Sequence, residues 1–107
     1  MTLTITYEDT KYRLGYSRNT IRRMERNGFD IAKTESAPVS TIEDLFRGAF
    51  LLHHSNVKQE KLTEIFKHVP DKDGLFAKLI EMYEESVSTL MAEPEEGDTK
   101  KATWEVE

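Results

Sequence analysis

The spacing of apolar residues changes once along this chain, from every second residue to every third or fourth. Of all features of the sequence, this change most restricts the fold. In residues 2–7 and again in 11–16, apolar and polar residues alternate. A period of two is typical of strands, so the two runs predict a β-hairpin with a turn at Glu8-Asp9-Thr10. Because an isolated hairpin is marginally stable in water, we expect its face with Leu3 and Leu14 to rest on helices.

After Ser17 the apolar residues recur at intervals of three and four, which predicts helices. Ser17 is a favourable N-cap for a helix over residues 18–27, and Gly28 suits the left-handed position that ends it. Residues 30–40 show no clear period and are predicted to be a loop. The spacing Ser40-Thr41-Ile42-Glu43 matches a capping box and predicts the start of a second helix, which Ser55 or Asn56 would end.

Two further apolar stripes predict a third and a fourth helix, separated by a break at Pro70 and Asp71. The third stripe contains Val57, Leu62, Ile65, Phe66 and Val69, and the fourth contains Leu75, Phe76, Leu79, Ile80, Tyr83, Val87, Leu90 and Met91. Pro94 would stop the last helix. The predicted fold class is therefore α+β, an N-terminal antiparallel β-hairpin packed on a bundle of about four α-helices within a single domain over residues 1–91.

The composition changes at Ala92. Residues 92–107 contain six acids against two lysines and carry −4 of the net charge of −5. A segment so poor in apolar residues is expected to be a flexible acidic tail. Trp104, within Thr103-Trp104-Glu105-Val106, is the exception, and we expect it to dock as a short strand on the body of the protein or on a partner.

The composition also limits the chemistry. The chain has no Cys, which excludes disulfides and thiolate catalysis. Its longest apolar run, Ala49-Phe50-Leu51-Leu52, is far shorter than the ~20 residues of a membrane span. The first residues show no signal-peptide pattern, so we expect a cytosolic, soluble protein without membrane contact.

Candidate catalytic and metal-binding residues are few. Glu64 and His68 have the spacing of two ligands on one helix, but His53 and His54 point to different sides and complete no set, so we expect no metal. His53 falls on an apolar stripe and is predicted to be a core-edge residue. The sequence has no glycine-rich phosphate loop and no nucleophile motif, so we expect no cofactor and no enzymatic activity.

The basic residues are concentrated in one segment. Residues 11–33 hold seven Lys or Arg against two acids. Arg18, Arg22 and Arg26 lie four residues apart on the first predicted helix, where like charges oppose helix formation by roughly 0.2–0.5 kcal/mol per pair. These like charges could be tolerated because solvent surrounds the arginines or because acids of the same chain pair with them. Alternatively, an acidic partner could pair with them.

We expect an apolar partner surface as well. Leu51 and Leu52 lie off the main stripe of their helix, so they are candidates for contact with a partner or a second copy. The candidate partner-binding residues are Arg18, Arg22, Arg26, Leu51, Leu52 and Trp104.

One alternative function is DNA binding. The segment from Tyr16 to Phe29 resembles the recognition-helix stretch of MerR-like winged regulators, in which arginines contact phosphates. Arg18, Arg22, Arg23 and Arg26 of the basic helix 18–27 would then contact DNA. The helix that should precede a recognition helix is missing, however, since residues 2–16 have the pattern of strands, and a net charge of −5 disfavours nucleic acid.

The order of the segments resembles the small tail proteins of siphophages, the group similar to tail assembly chaperones. The resemblance covers nearly the whole chain. It is carried by the segments Leu3-Thr-Ile-Thr-Tyr7, Tyr16-Ser17 through Met24-Glu25 to Gly28-Phe29, Asp44-Leu-Phe-Arg-Gly-Ala-Phe50, Leu79-Ile-Glu-Met-Tyr83, Met91-Ala-Glu-Pro-Glu95 and Trp104.

This resemblance implies a non-enzymatic phage tail assembly chaperone in the cytoplasm of the bacterial host. Such a protein would shield the tape-measure protein, help to recruit tail-tube subunits and act as a homo-oligomer. The opposite charges of the two parts of the chain also favour head-to-tail contacts between copies. A structural tail or head–tail component without chaperone action is a further alternative.

Overall fold

A computed structural model describes residues 2–90, 92, 100 and 102–106. Along the chain it contains strands β1 (Leu3–Tyr7) and β2 (Thr10–Leu14), helix α1 (Arg18–Arg26), a 3-10 turn (Ile31–Thr34), and helices α2 (Pro38–Phe50), α3 (Gln59–His68) and α4 (Lys72–Leu90). The predicted α+β fold, an N-terminal antiparallel hairpin followed by four helices, is confirmed.

The hairpin is closed by a two-residue turn. Tyr7 pairs with Thr10, and the two residues between them, Glu8 and Asp9, have φ of 49° and 64°. Two consecutive residues with positive φ are typical of a type I′ turn, whose twist matches that of the strands it joins. Leu14 pairs with Leu3 and is fully buried, so this face rests on the helices as predicted.

Both ends of α1 follow from the sequence. At its start, the Thr20 N–H donates to Ser17 Oγ at 3.2 Å and the Ser17 N–H donates to Thr20 Oγ1 at 2.8 Å. At its end, Gly28 has a φ of +95°. The Gly28 N–H then donates to the Glu25 carbonyl and the Phe29 N–H to the Met24 carbonyl, each at 3.0 Å, which is a Schellman ending.

The predicted start of α2 is wrong. The helix begins at Pro38, because proline fits the first helical position, where no N–H is needed. The expected capping residues at 40–43 therefore lie inside the first turns. Thr41 is buried there, and its hydroxyl donates to the Ala37 carbonyl at 2.8 Å. The predicted loop 30–40 also contains the 3-10 turn.

The predicted end of α2, at Ser55 or Asn56, is wrong as well. The helix ends at Phe50, and its last turn and the residues just after it bond to the hairpin. The Ala49 carbonyl accepts the Gly15 N–H at 3.1 Å, and His54 Nε2 accepts the Arg13 N–H at 2.9 Å. His53 is exposed and is not the core-edge residue that we expected, whereas its neighbour His54 is half-buried.

The core lies around α2, which contacts β2, α1, α3, α4 and the 3-10 turn. The largest fully buried side chains are Leu14, Leu45, Phe50, Ile65, Leu79 and Met82. Met82 lies beside the predicted stripe of α4 and was not expected in the core. These side chains come from β2, α2, α3 and α4, and their burial stabilises the arrangement of hairpin and helices.

Asp71 lies at the predicted break and caps α4, which begins at the next residue. The φ of Asp71 is 49°, and its Oδ1 accepts the Gly74 N–H at 3.2 Å. The predicted stop at Pro94 and most of the predicted tail 92–107 lie outside the described residues. Residues 102–106 form no strand, and Trp104 is 88% exposed, so the expected docking of Trp104 on the body of the protein is wrong.

Candidate partner-binding site

Helix α1 presents its arginines to solvent. Arg18, Arg22, Arg23 and Arg26 are all exposed. In the part of the chain that the structure describes, the ion pairs within 4.0 Å involve Lys61 and Lys78 and none of these arginines. Their guanidinium groups therefore remain available to an acidic ligand.

Two of these arginines border a groove between α1 and α4, which we call the arginine groove. It has a volume of about 360 Å³. The residues that line it are Arg18, Ile21, Arg22, Glu25, Ile31, Tyr83, Ser86 and Val87. The 3-10 turn contributes Ile31, so three separate parts of the chain form the groove.

The floor of the groove is held by contacts behind it. The Tyr83 ring meets the Tyr16 ring edge-on at 5.8 Å and the Phe29 ring at 5.4 Å. The Ser86 hydroxyl donates to the Tyr16 carbonyl at 3.4 Å, which ties α4 to the segment before α1. Edge-to-face ring pairs restrict how Tyr83 can turn, so the shape of the groove is largely preformed.

The phenols beside the groove stay neutral. Burial raises the pKa of Tyr83, and the negative charges of Glu25 and Asp30 raise it further. Burial raises the pKa of Tyr16 as well, with a smaller contribution from Tyr83. The groove therefore combines a neutral, mainly apolar floor with charges at its rim, two positive and one negative.

Such a groove fits the side of an amphipathic segment. Apolar side chains of the segment would lie on Ile21, Ile31 and Val87, while its carboxylates would reach Arg18 and Arg22. Arg pairs with carboxylates through two parallel hydrogen bonds, so this rim favours acidic groups. Val87 is 37% exposed and offers apolar surface that such a segment would cover.

The six candidate residues predicted from the sequence do not form one surface. Arg18 and Arg22 lie together on the arginine groove, and Arg26 is exposed on the same helix but does not line the groove. Leu51 is half-buried and lines a separate cavity of about 180 Å³ that includes Arg23.

Leu52 lies elsewhere and is 39% exposed. It packs beside Gly15, with its Cδ2 atom 3.6 Å from the position that a Cβ atom at Gly15 would occupy. Trp104 is exposed and outside both sites. The role of these six residues in partner binding stays a prediction.

Sequence reasoning missed part of the groove. Ile31 was assigned to a loop, and Tyr83 and Val87 were assigned to a buried stripe. The four-residue interval between Tyr83 and Val87 places them on one side of α4, which was a usable signal. No sequence signal indicated that Tyr83 and Val87 pack beside α1, because this contact depends on how distant segments of the chain pack.

Two further observations concern other kinds of site. Within the described ranges, no helix has the length and apolar character needed to span a bilayer. Among the same residues, no group of three or more His, Asp or Glu side chains is placed to hold a metal ion.

Comparison with known proteins assigns a family without an activity. No curated protein and no solved structure matches the chain. One family model, described as a domain of unknown function (DUF5055), matches residues 1–107. The match spans the hairpin and all four helices together, and the chain therefore belongs to the DUF5055 family.

Proposed function

We propose that this protein is a non-enzymatic assembly chaperone of a phage tail, which binds an amphipathic segment of the tape-measure protein in the arginine groove. The observation that carries the proposal is the groove itself, where an apolar floor adjoins Arg18 and Arg22 and neither arginine has an acid partner among the described residues. The resemblance to siphophage tail assembly chaperones supplies the identity of the partner and the host cytoplasm as the location.

The size of the groove limits how a partner would bind. A volume of about 360 Å³ holds a few side chains and not a whole helix. We infer that the tape-measure segment lays one side across α1 and α4 and inserts its apolar residues, as in helix-in-groove recognition. Covering those residues would keep a long apolar helix from aggregating until tail-tube subunits replace the chaperone.

Charge supports the same partner chemistry. The acidic segment 92–107 would keep a complex with an apolar helix soluble. The exposed arginines of α1 would pair with acids that flank the apolar residues of the partner, which sets the orientation and speeds association.

The test is co-expression with fragments of a phage tape-measure protein. We expect the soluble fraction of one fragment to rise several-fold with the wild-type protein. The double variant Arg18→Ala/Arg22→Ala should weaken this effect, because each lost ion pair at the exposed rim contributes about 0.2–1 kcal/mol.

The matched control is Arg23→Ala/Arg26→Ala. It removes the same charge from the same helix but leaves the residues of the groove in place. Equal activity of the two double variants, or no solubilising effect of the wild-type protein on any fragment, would refute the proposal.

A further inference from the structure

We propose that the outer edge of β1 binds the segment Thr103–Val106 of a second copy of this chain as an added β-strand. The inference goes beyond the proposed function and does not rest on it, because it concerns a different surface and a different occupant. It follows from an uncovered strand edge, an apolar groove beside that edge, and an exposed segment with the pattern of a strand.

The register of the hairpin leaves β1 with unused backbone groups. A two-residue turn makes Tyr7 and Thr10 a hydrogen-bonded pair, so Ile5 with Tyr12 and Leu3 with Leu14 are the next such pairs. Thr4 and Thr6 therefore direct their N–H and C=O groups away from β2. In the described part of the chain, no hydrogen bond reaches these groups.

The opposite edge of the hairpin is partly covered, at Arg13 and at Gly15 just after β2. The outward N–H of Arg13 donates to His54 Nε2 at 2.9 Å, and the N–H of Gly15 donates to the Ala49 carbonyl at 3.1 Å. Bonds from the end of α2 and the turn after it thus protect β2. No equivalent bond protects β1 among the described residues.

Strand β1 also lacks the features that usually prevent strand addition. Its sequence from Leu3 to Tyr7 contains no charged residue and no proline. Its pairing with β2 is continuous, without a bulge. Proteins normally protect an exposed edge with one of these devices, and an edge that lacks them pairs readily with another strand.

An apolar groove runs beside this edge. It has a volume of about 230 Å³ and lies between β1 and the end of α3. Its apolar lining residues are Ile5, Tyr7, Ile65, Val69 and Pro70. Tyr7 stacks on His68, with ring centroids 5.6 Å apart. A strand added to β1 would direct alternate side chains into this groove.

Segment Thr103–Val106 has the matching chemistry. Trp104 and Val106 are two residues apart, so in a strand they point to the same side, and each is 88% exposed. Thr103 and Glu105 would then point to the other side. That is the outer side of the hairpin, where Lys11 and Arg13 are exposed and would attract Glu105 and the acidic residues near it.

A second copy is the occupant that the structure favours. In the single chain described here, the segment stands exposed and the β1 edge stays uncovered. Pairing of two β1 strands would bring a second α3 into the space that the groove occupies, whereas a four-residue segment brings no other element. Binding of the segment of one copy to the edge of the next is a head-to-tail contact, which builds rings or filaments.

The sole tryptophan makes the proposal measurable. With increasing protein concentration, we expect the emission of Trp104 to shift to shorter wavelength and the mass from light scattering to rise above that of a monomer. Trp104→Ala and Val106→Asp should each remove the mass increase. Both residues are exposed in the single chain, so neither change should alter the melting temperature at low concentration, where the wild type is also a monomer.

Variants at Thr4 identify the edge. Thr4→Pro removes the outward N–H and should abolish association, whereas the matched control Thr4→Ala keeps this N–H and should associate like the wild type. Circular dichroism checks that the Thr4→Pro hairpin is folded, and the two tail variants keep the proposal testable if it is not.

Three outcomes would overturn the proposal. A wavelength shift that does not depend on concentration would mean that the segment docks on its own chain. Association that survives Trp104→Ala but not Thr4→Pro would mean that two β1 strands pair with each other. A monomer with exposed Trp104 at all concentrations would mean that the edge stays uncovered. None of these results bears on tape-measure binding at the arginine groove.

Discussion

Removing the hydroxyl of Tyr16 should destabilise the protein by a predictable amount. Tyr16 is 9% exposed, and its hydroxyl donates to the Leu45 carbonyl of α2 at 2.7 Å, between residues 29 positions apart in sequence. This bond joins the segment before α1 to the central helix. Tyr16→Phe keeps the ring, its packing and its edge-on contact with Tyr83.

The magnitude follows from what remains after the change. A helical carbonyl at position 45 also accepts an N–H from the next turn, so its oxygen is not left without a partner. The loss is then that of one buried hydrogen bond, about 1–1.5 kcal/mol. For a domain of this size that corresponds to roughly 4–12 °C in melting temperature.

The assay is urea denaturation followed by circular dichroism at pH 7. Tyr83→Phe is the matched control. Tyr83 is 6% exposed, and its hydroxyl has no hydrogen bond in the described residues. Every buried side-chain polar atom in those residues has a hydrogen-bond partner. The Tyr83 hydroxyl must therefore reach solvent. We expect less than about 0.5 kcal/mol for the control. Equal losses in the two variants would refute the reasoning.

Three further predictions concern pH, helix packing and DNA. Burial raises the pKa of Tyr16 above its value in the unfolded chain, so the free energy of unfolding of the wild type should fall above about pH 10. The fall should be steeper than in Tyr16→Phe by up to about 1.36 kcal/mol per pH unit. If urea titrations give the two proteins the same dependence of stability on pH, the prediction is wrong. A Cβ on Gly48 would lie 2.7 Å from Met24 Cε and 3.0 Å from Met24 Cγ, so Gly48→Ala should cost about 1–3 kcal/mol in urea denaturation. The same change in a Met24→Ala background should be neutral or stabilising, and a similar cost in both backgrounds would exclude the contact. Anisotropy titration with duplex DNA should show no binding at low salt, whereas binding that weakens steeply with salt would favour the DNA-binding alternative.

The local elements could be predicted where neighbouring residues determine them. The turn at Glu8 and Asp9 closes the hairpin, and Ser17 and Gly28 mark the two ends of α1. In each case the deciding hydrogen bonds join residues only a few positions apart, so the sequence pattern is sufficient.

Helix α2 could not be placed by the same reasoning. Its start has two competing local signals, and the proline at position 38 prevails over the capping pattern at 40–43. Near its end, Arg13 and Gly15 donate hydrogen bonds to a segment more than 30 residues away in sequence. Tertiary contacts of this kind leave no periodic trace in the sequence.

For the same reason, only part of the candidate site could be predicted from the sequence. The arginine stripe follows from four-residue spacing on one helix, so Arg18 and Arg22 could be named. The apolar floor needs the 3-10 turn and the second half of α4 to pack against α1. Only the structure shows that Arg18 and Arg22 border a groove and that Arg26 does not line it.

Hydrogen–deuterium exchange of this protein, with and without a bound tape-measure fragment, tests the proposed groove most directly. The proposal predicts slower exchange in α1 and in the second half of α4, with little change in α3. Protection confined to α3 and the hairpin, with α1 unchanged, would contradict a partner site in the arginine groove.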